Sequence, residues 1–130
     1  MFVDTSGFLC LSQKEESFHE KAIELYDSAK TRLTTNYVLT EYTALAQIRG
    51  INRQKIIEFS FDILSNQEIE IVWVDEDLHA RAVNLINKRE DKAYSLCDAV
   101  SFVIMHERKI SEALTTDKHF EQEGFVRLLK

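Results

Sequence analysis

Four carboxylates in this 130-residue chain sit where carboxylates are costly. Asp4 interrupts FVDTSGFLCL, Glu41 lies in NYVLTEYTALAQI, Asp98 in YSLCDAVSFVIM and Asp117 in ALTTDKHF. Most other acids keep charged company, as do Glu15 and Glu16, Asp75 to Asp77, or Glu121 and Glu123, and read as solvated faces. Desolvating a lone carboxylate costs several kcal/mol unless a partner compensates it, so something must sit opposite each of the four. A set made only of carboxylates, without paired His or Cys, suits a hard oxygen-seeking ion such as Mg²⁺ or Mn²⁺ better than zinc. Ions of that kind act on phosphate oxygens, which points to phosphodiester hydrolysis without a protein nucleophile. The plainer alternative is that these acids cap helices or pair with Arg49 or Lys118. With 22 acidic residues, some land in apolar surroundings by chance. Four together, two of them at expected strand ends, favour the metal.

The elements that must position them follow from the apolar pattern. Short apolar runs at Met1 to Val3, Arg32 to Thr34, Glu70 to Val74, Glu112 to Thr115 and Phe125 to Leu129 predict strands. Between them the spacing is helical, as in Phe18, Ala22, Leu25, Tyr26 and Ala29, or Ile56, Phe59, Ile63 and Leu64. Strands separated by helices of that length predict an α/β fold, a three-layer α/β/α sandwich around a central, mainly parallel sheet. In such sheets ligands gather at the carboxyl ends of strands, where Asp4 and Asp117 fall. Asp98 would open a nearly apolar, buried helix, with Ser95 one turn earlier able to bond the carboxylate or cap the helix. Glu41 lies on a helix beside Tyr37, Val38, Leu45 and Ala46, a face otherwise destined for the core.

Composition narrows the classes. With 45% apolar residues the chain can build a proper core, and with no proline and only three glycines it shows no linker, so residues 1–130 read as one domain. A net charge of −6 argues against a wholly basic nucleic-acid glove while leaving room for a local basic path. No segment has the length and apolarity of a membrane span and the N-terminus lacks a signal's positive region, so a cytoplasmic protein without a membrane partner is expected. Cys10 and Cys97 lack metal or disulfide spacing and read as small core residues. GxxxxGK[ST], GxGxxG and GxSxG are absent. A dehalogenase-like phosphatase would want an acid where Ser6 stands.

The opening strand ending VDTSGF, Glu41 in TTNYVLTEY, the segment DKAYSLCDAVSFVIM and the closing TTDKHFEQEGF occur in the order found in PIN-domain ribonucleases. Across essentially its whole length the chain resembles that family, of the kind known as VapC-type toxins. The resemblance implies a metal-dependent endoribonuclease using Mg²⁺ or Mn²⁺, with Asp4, Glu41, Asp98 and Asp117 as its metal-binding, catalytic acids. It also implies an RNA substrate, a small antitoxin where the chain belongs to a toxin pair, and a homodimer. Thr5, Ser95 and Thr116 would at most orient ligands or substrate, and Cys97 stands where Thr is often found.

Lys88, Arg89, Lys92, Lys118 and Arg49 are candidates for phosphate contacts, each weighed against an ordinary solvated charge. Tyr37, Tyr94 and Phe120 are weighed as stacking platforms against core packing, and core packing is preferred. His119 lies nearest the expected site, with a structural role preferred over proton donation, and Trp73 in IVWV reads as a strand residue in the core. The rivals to a ribonuclease are a non-catalytic RNA- or protein-binding module of the same fold and a Mg²⁺-dependent phosphomonoesterase.

Overall fold

The computed structural model describes residues 1–130. Its elements run β1 (Phe2–Val3), α1 (Thr5–Ser12), α2 (His19–Ser28), β2 (Leu33–Thr35), α3 (Asn36–Ile48), α4 (Arg53–Ser65), β3 (Glu70–Val72), α5 (Glu76–Lys88), α6 (Leu96–Arg108), β4 (Glu112–Leu114), α7 (Lys118–Gln122) and β5 (Val126–Arg127). Five strands form one sheet in the order β3-β2-β1-β4-β5, and every pairing is parallel. The strand expectations hold in place and order, but the strands are only two or three residues long.

That order fixes where a site can form. The chain steps from β1 outward through β2 to β3, then returns across β1 to start β4 on its other side. Parallel crossovers are right-handed, so the outward steps carry α1 to α4 onto one face and the return steps carry α5 to α7 onto the other. The packing agrees: α1 meets α2 and α3, and α3 meets α4, while α6 meets α5 and α7. The result is the expected three-layer α/β/α sandwich. Between β1 and β4 the winding reverses, which opens a crevice at the strands' carboxyl ends. Across the two layers, α3 also meets α6.

Each layer is held by its own aromatic group. Phe8, Tyr42 and Phe59 pack on one face, with centroids 4.4 Å apart for Tyr42–Phe59 and 5.5 Å for Phe8–Phe59. On the other, Phe102 contacts Tyr94, Phe120 and Phe125 at 4.8, 4.9 and 5.7 Å. Of these pairs, Phe8–Phe59, Phe102–Tyr94 and Phe102–Phe120 are edge-to-face, a geometry that adds to area burial. Tyr94 and Phe120 are thus core residues, as preferred from the sequence. Trp73 is a correction: β3 stops at Val72, the Val74 amide bonds the Asn36 side chain at 2.7 Å, and Trp73 is left 63% exposed. Cys10 is buried, whereas Cys97 is only partly so and lies beside the acids. No helix is long and apolar enough to cross a membrane.

Gly7 sets the distance between α1 and the sheet. A Cβ there would come within 2.2 Å of the Leu114 carbonyl oxygen, a backbone atom that cannot swing aside. Gly7→Ala is therefore expected to cost roughly 1–3 kcal/mol or more in urea unfolding. Unchanged stability would show that α1 sits farther from β4.

Candidate metal centre

Asp4 follows β1 directly and is the N-cap of α1, which fixes its carboxylate at the mouth of the crevice. Its side chain accepts a hydrogen bond at 3.0 Å from Thr115, the residue that follows β4. Thr115 has one proton to give, and it goes to Asp4; its oxygen in turn accepts from the Asp117 amide and from Ser6, both at 3.0 Å. Ser6 accepts from the Thr116 amide at 2.9 Å. These bonds lock the turn after β4 onto the start of α1, so that Asp4 and Asp117 flank the point where the winding reverses.

The helices bring the other two acids. Glu41, midway along α3, accepts from the Thr5 hydroxyl at 2.5 Å. Asp98 belongs to a capping box at the start of α6: its amide donates to Ser95 Oγ at 3.0 Å and its Oδ2 accepts from the Ser95 amide at 3.1 Å. The capping role foreseen for Ser95 is thereby present, and it accounts for only part of Asp98. The same Oδ2 lies 2.9 Å from His119 Nδ1. Asp117 caps α7, accepting from the His119 amide at 2.9 Å. Asp98, Asp117 and His119 offer potential ligand atoms all within 4.8 Å of one another.

Electrostatics show that three of the acids, Asp4, Glu41 and Asp98, share a neighbourhood. Asp4 is 4% exposed. Burial raises its carboxyl from the usual range to about 7, the charges of Asp98 and Glu41 push the same way, and the Thr5 amide and Thr115 hydroxyl pull it back. Burial and the negative charges of Glu41, Asp4 and Asp98 also push the Cys97 thiol well up. No lysine or arginine forms an ion pair with Asp4, Glu41, Asp98 or Asp117. Pairing with Arg49 or Lys118, the plainer alternative, is absent: Arg49 binds Glu16 at 2.6 Å. Arg89 and Lys92 are likewise engaged, with Glu123 and Asp91. Lys88 and Lys118 remain exposed without an acidic partner. Tyr37 donates or accepts at 2.5 Å with His79.

A donor set of carboxylates uncompensated by protein cations, one of them buried beside two others, fits a hard dication. The model of the PIN domain family matches residues 1–125. The chain belongs to that family. PIN-domain relatives include the 23S rRNA-specific endonuclease VapC20 of Mycobacterium tuberculosis, from strains CDC 1551 and H37Rv. Each is 29% identical over 129 residues, covering 98% of this chain and 97% of the relative. The crystal structure of M. tuberculosis VapC20, described as a sarcin-ricin loop cleaving toxin, superposes with a TM-score of 0.90 at 28% identity, covering 99% of this chain and 98% of that one.

Within this PIN domain, some supporting residues were missed from sequence. Thr115 and Ser6, not the Thr116 hydroxyl, connect the acids; Thr116 acts through its backbone, its carbonyl accepting from Arg127 at 3.0 Å. The TTD run gives no sign of which threonine faces Asp4. His119 meets Asp98 across 21 residues, a relation with no local signature in the sequence.

The Asp4 carboxyl yields a pH test. The folded protein keeps its proton between 3.8 and about 7, where the unfolded chain has lost it. Folding then binds more protons than unfolding, so this group makes stability fall as pH rises through that window. Asp4→Asn is expected to stabilise the metal-free protein at pH 8, by roughly 1–4 kcal/mol, and to leave it unchanged near pH 4. Urea unfolding in EDTA measures both, and a destabilised variant at pH 8 would contradict the burial of a repelled charge.

Proposed function

We propose that residues 1–130 act as one domain, a metal-dependent endoribonuclease in which Asp4, Glu41, Asp98 and Asp117 hold Mg²⁺ or Mn²⁺. The observation that carries this reading is the gathering of four acids from distant points of the chain with no lysine or arginine paired to any of them. Likeness to a 23S rRNA-specific endonuclease over nearly the full length of both chains supports RNA as substrate. When bound, the dication lowers the pKa of the attacking water and steadies charge on the phosphate and the leaving oxygen.

The chain's own groups do the rest. Thr5 and Thr115 each spend their proton on an acid, Glu41 and Asp4, which fixes the oxygens they touch and leaves the others free to ligate. Cys97 keeps its proton at neutral pH under burial and three negative neighbours, so it is no nucleophile. Lys118, exposed and unpaired next to Asp117, is suited to hold a substrate phosphate, and Lys88 offers a second such charge. Neither Tyr94 nor Phe120 is free to stack on a base. The proposed partners are an RNA containing a sarcin-ricin type loop, a small antitoxin and a second copy of the chain. A ribosomal substrate would set its work in the cytoplasm.

The test is cleavage of 23S rRNA and of an isolated sarcin-ricin stem-loop with Mg²⁺ or Mn²⁺. Asp98→Asn is expected to lower the rate at least ~100-fold while the circular dichroism spectrum is kept. EDTA should abolish cleavage and added Mn²⁺ restore it. A variant as active as the parent, or turnover of p-nitrophenyl phosphate with no cut in RNA, would overturn the proposal.

A further inference from the structure

His119 addresses two of the four acids with two different nitrogens. Its amide donates to Asp117 Oδ1 at 2.9 Å, and its ring Nδ1 lies 2.9 Å from Asp98 Oδ2. An ionised carboxylate can only accept, so Nδ1 must carry the proton. With the Ser95 amide also on Oδ2, that oxygen holds two donors, while Asp98 Oδ1 has no hydrogen bond from the protein. His119 Nε2 has no protein partner either.

The ring is itself held from behind. Tyr94 meets it edge-on, with centroids 5.4 Å apart and planes at 64°. The Tyr94 hydroxyl donates at 3.1 Å to Glu123, whose side chain is 4% exposed. Arg89 grips the same carboxylate with two bonds of 2.9 Å, and His106 lies 2.8 Å from it. A chain of contacts therefore runs from the end of α7, through the segment that precedes α6, to the His119 ring.

We propose that His119 is a positioning residue: its Nδ1–H pins Oδ2 of Asp98 so that Oδ1 is presented to the dication, and the Tyr94–Glu123 brace keeps the ring in that orientation. The inference rests on the metal-site reading above and deepens it. His119 is thereby a donor to a ligand, neither a ligand through Nε2 nor a proton donor to the leaving group.

Side-chain amides separate these roles. Asn can offer an N–H near the position of Nδ1, Gln near that of Nε2, and Leu offers none. In Mn²⁺ titrations by calorimetry, His119→Leu and His119→Gln are expected to lose about tenfold to a hundredfold in affinity, and His119→Asn to stay within about threefold of the parent. Gln rescuing better than Asn would make His119 a ligand and overturn the proposal. So would Asn binding no better than Leu, or all three binding like the parent. Asp98→Asn runs alongside: if it too binds Mn²⁺ like the parent, the metal-site reading falls first and this one with it. Nitrogen-15 spectra of the metal-free parent give a readout independent of any variant's folding. Nδ1-protonated His119 is expected, and a proton on Nε2 alone would overturn the assignment.

Discussion

Crowding of like charges out of water is the constraint around which this molecule is arranged. Asp4 is almost wholly buried, and the charges of both Asp98 and Glu41 act on it where little water screens them. Left alone, such a set would either take up protons or push itself apart. The protein answers with neutral donors, the hydroxyls of Thr5 and Thr115 and the amides of Ser95 and His119, and not with lysine or arginine. Hydroxyls and amides orient an oxygen without cancelling its charge. The negative potential survives, which is the condition under which a dication is held strongly.

Holding that potential demands a rigid frame. The crevice exists because the sheet reverses its winding between β1 and β4, and its two walls are tied together by side chains on residues 109 to 111 positions apart. Gly7 allows α1 to lie against the Leu114 carbonyl, so Asp4 and the turn after β4 cannot drift apart without opening the core. The aromatic groups on either face supply the burial that offsets the repulsion. Proteins commonly accept such local destabilisation where function requires it.

Sequence legibility divides along the same line. Strand positions and the α/β class were readable, since apolar runs have a period, and a carboxylate in an apolar segment is conspicuous enough to be singled out. Strand ends were less so: IVWV looks like four core residues, yet the chain leaves the sheet at Val72 because Asn36 captures the next amide but one, and Trp73 faces solvent. Thr115 and Thr116 are adjacent and chemically identical, and only the register of β4 on β1 decides which one meets Asp4. His119 carries no periodic or local sign of its bond to Asp98. What the sequence withheld is, in each case, a relation between residues distant along the chain.

Glu123 shows that the absence of cations around the four acids is not forced by the fold. Its side chain is only 4% exposed, yet it is surrounded by Arg89, His106 and the Tyr94 hydroxyl. Burial works to raise its carboxyl, but those hydrogen bonds outweigh it and hold the group below its ordinary range. Asp4, with only neutral donors and negative neighbours, moves the opposite way. One chain therefore contains both solutions to a desolvated carboxylate, and Glu123 is joined through the Tyr94 and His119 rings to Asp98, whose charge acts on Asp4. Where structure alone is at stake, the charge is neutralised by the protein. At the crevice it is kept, and the compensated acid stands behind the ring that bonds Asp98.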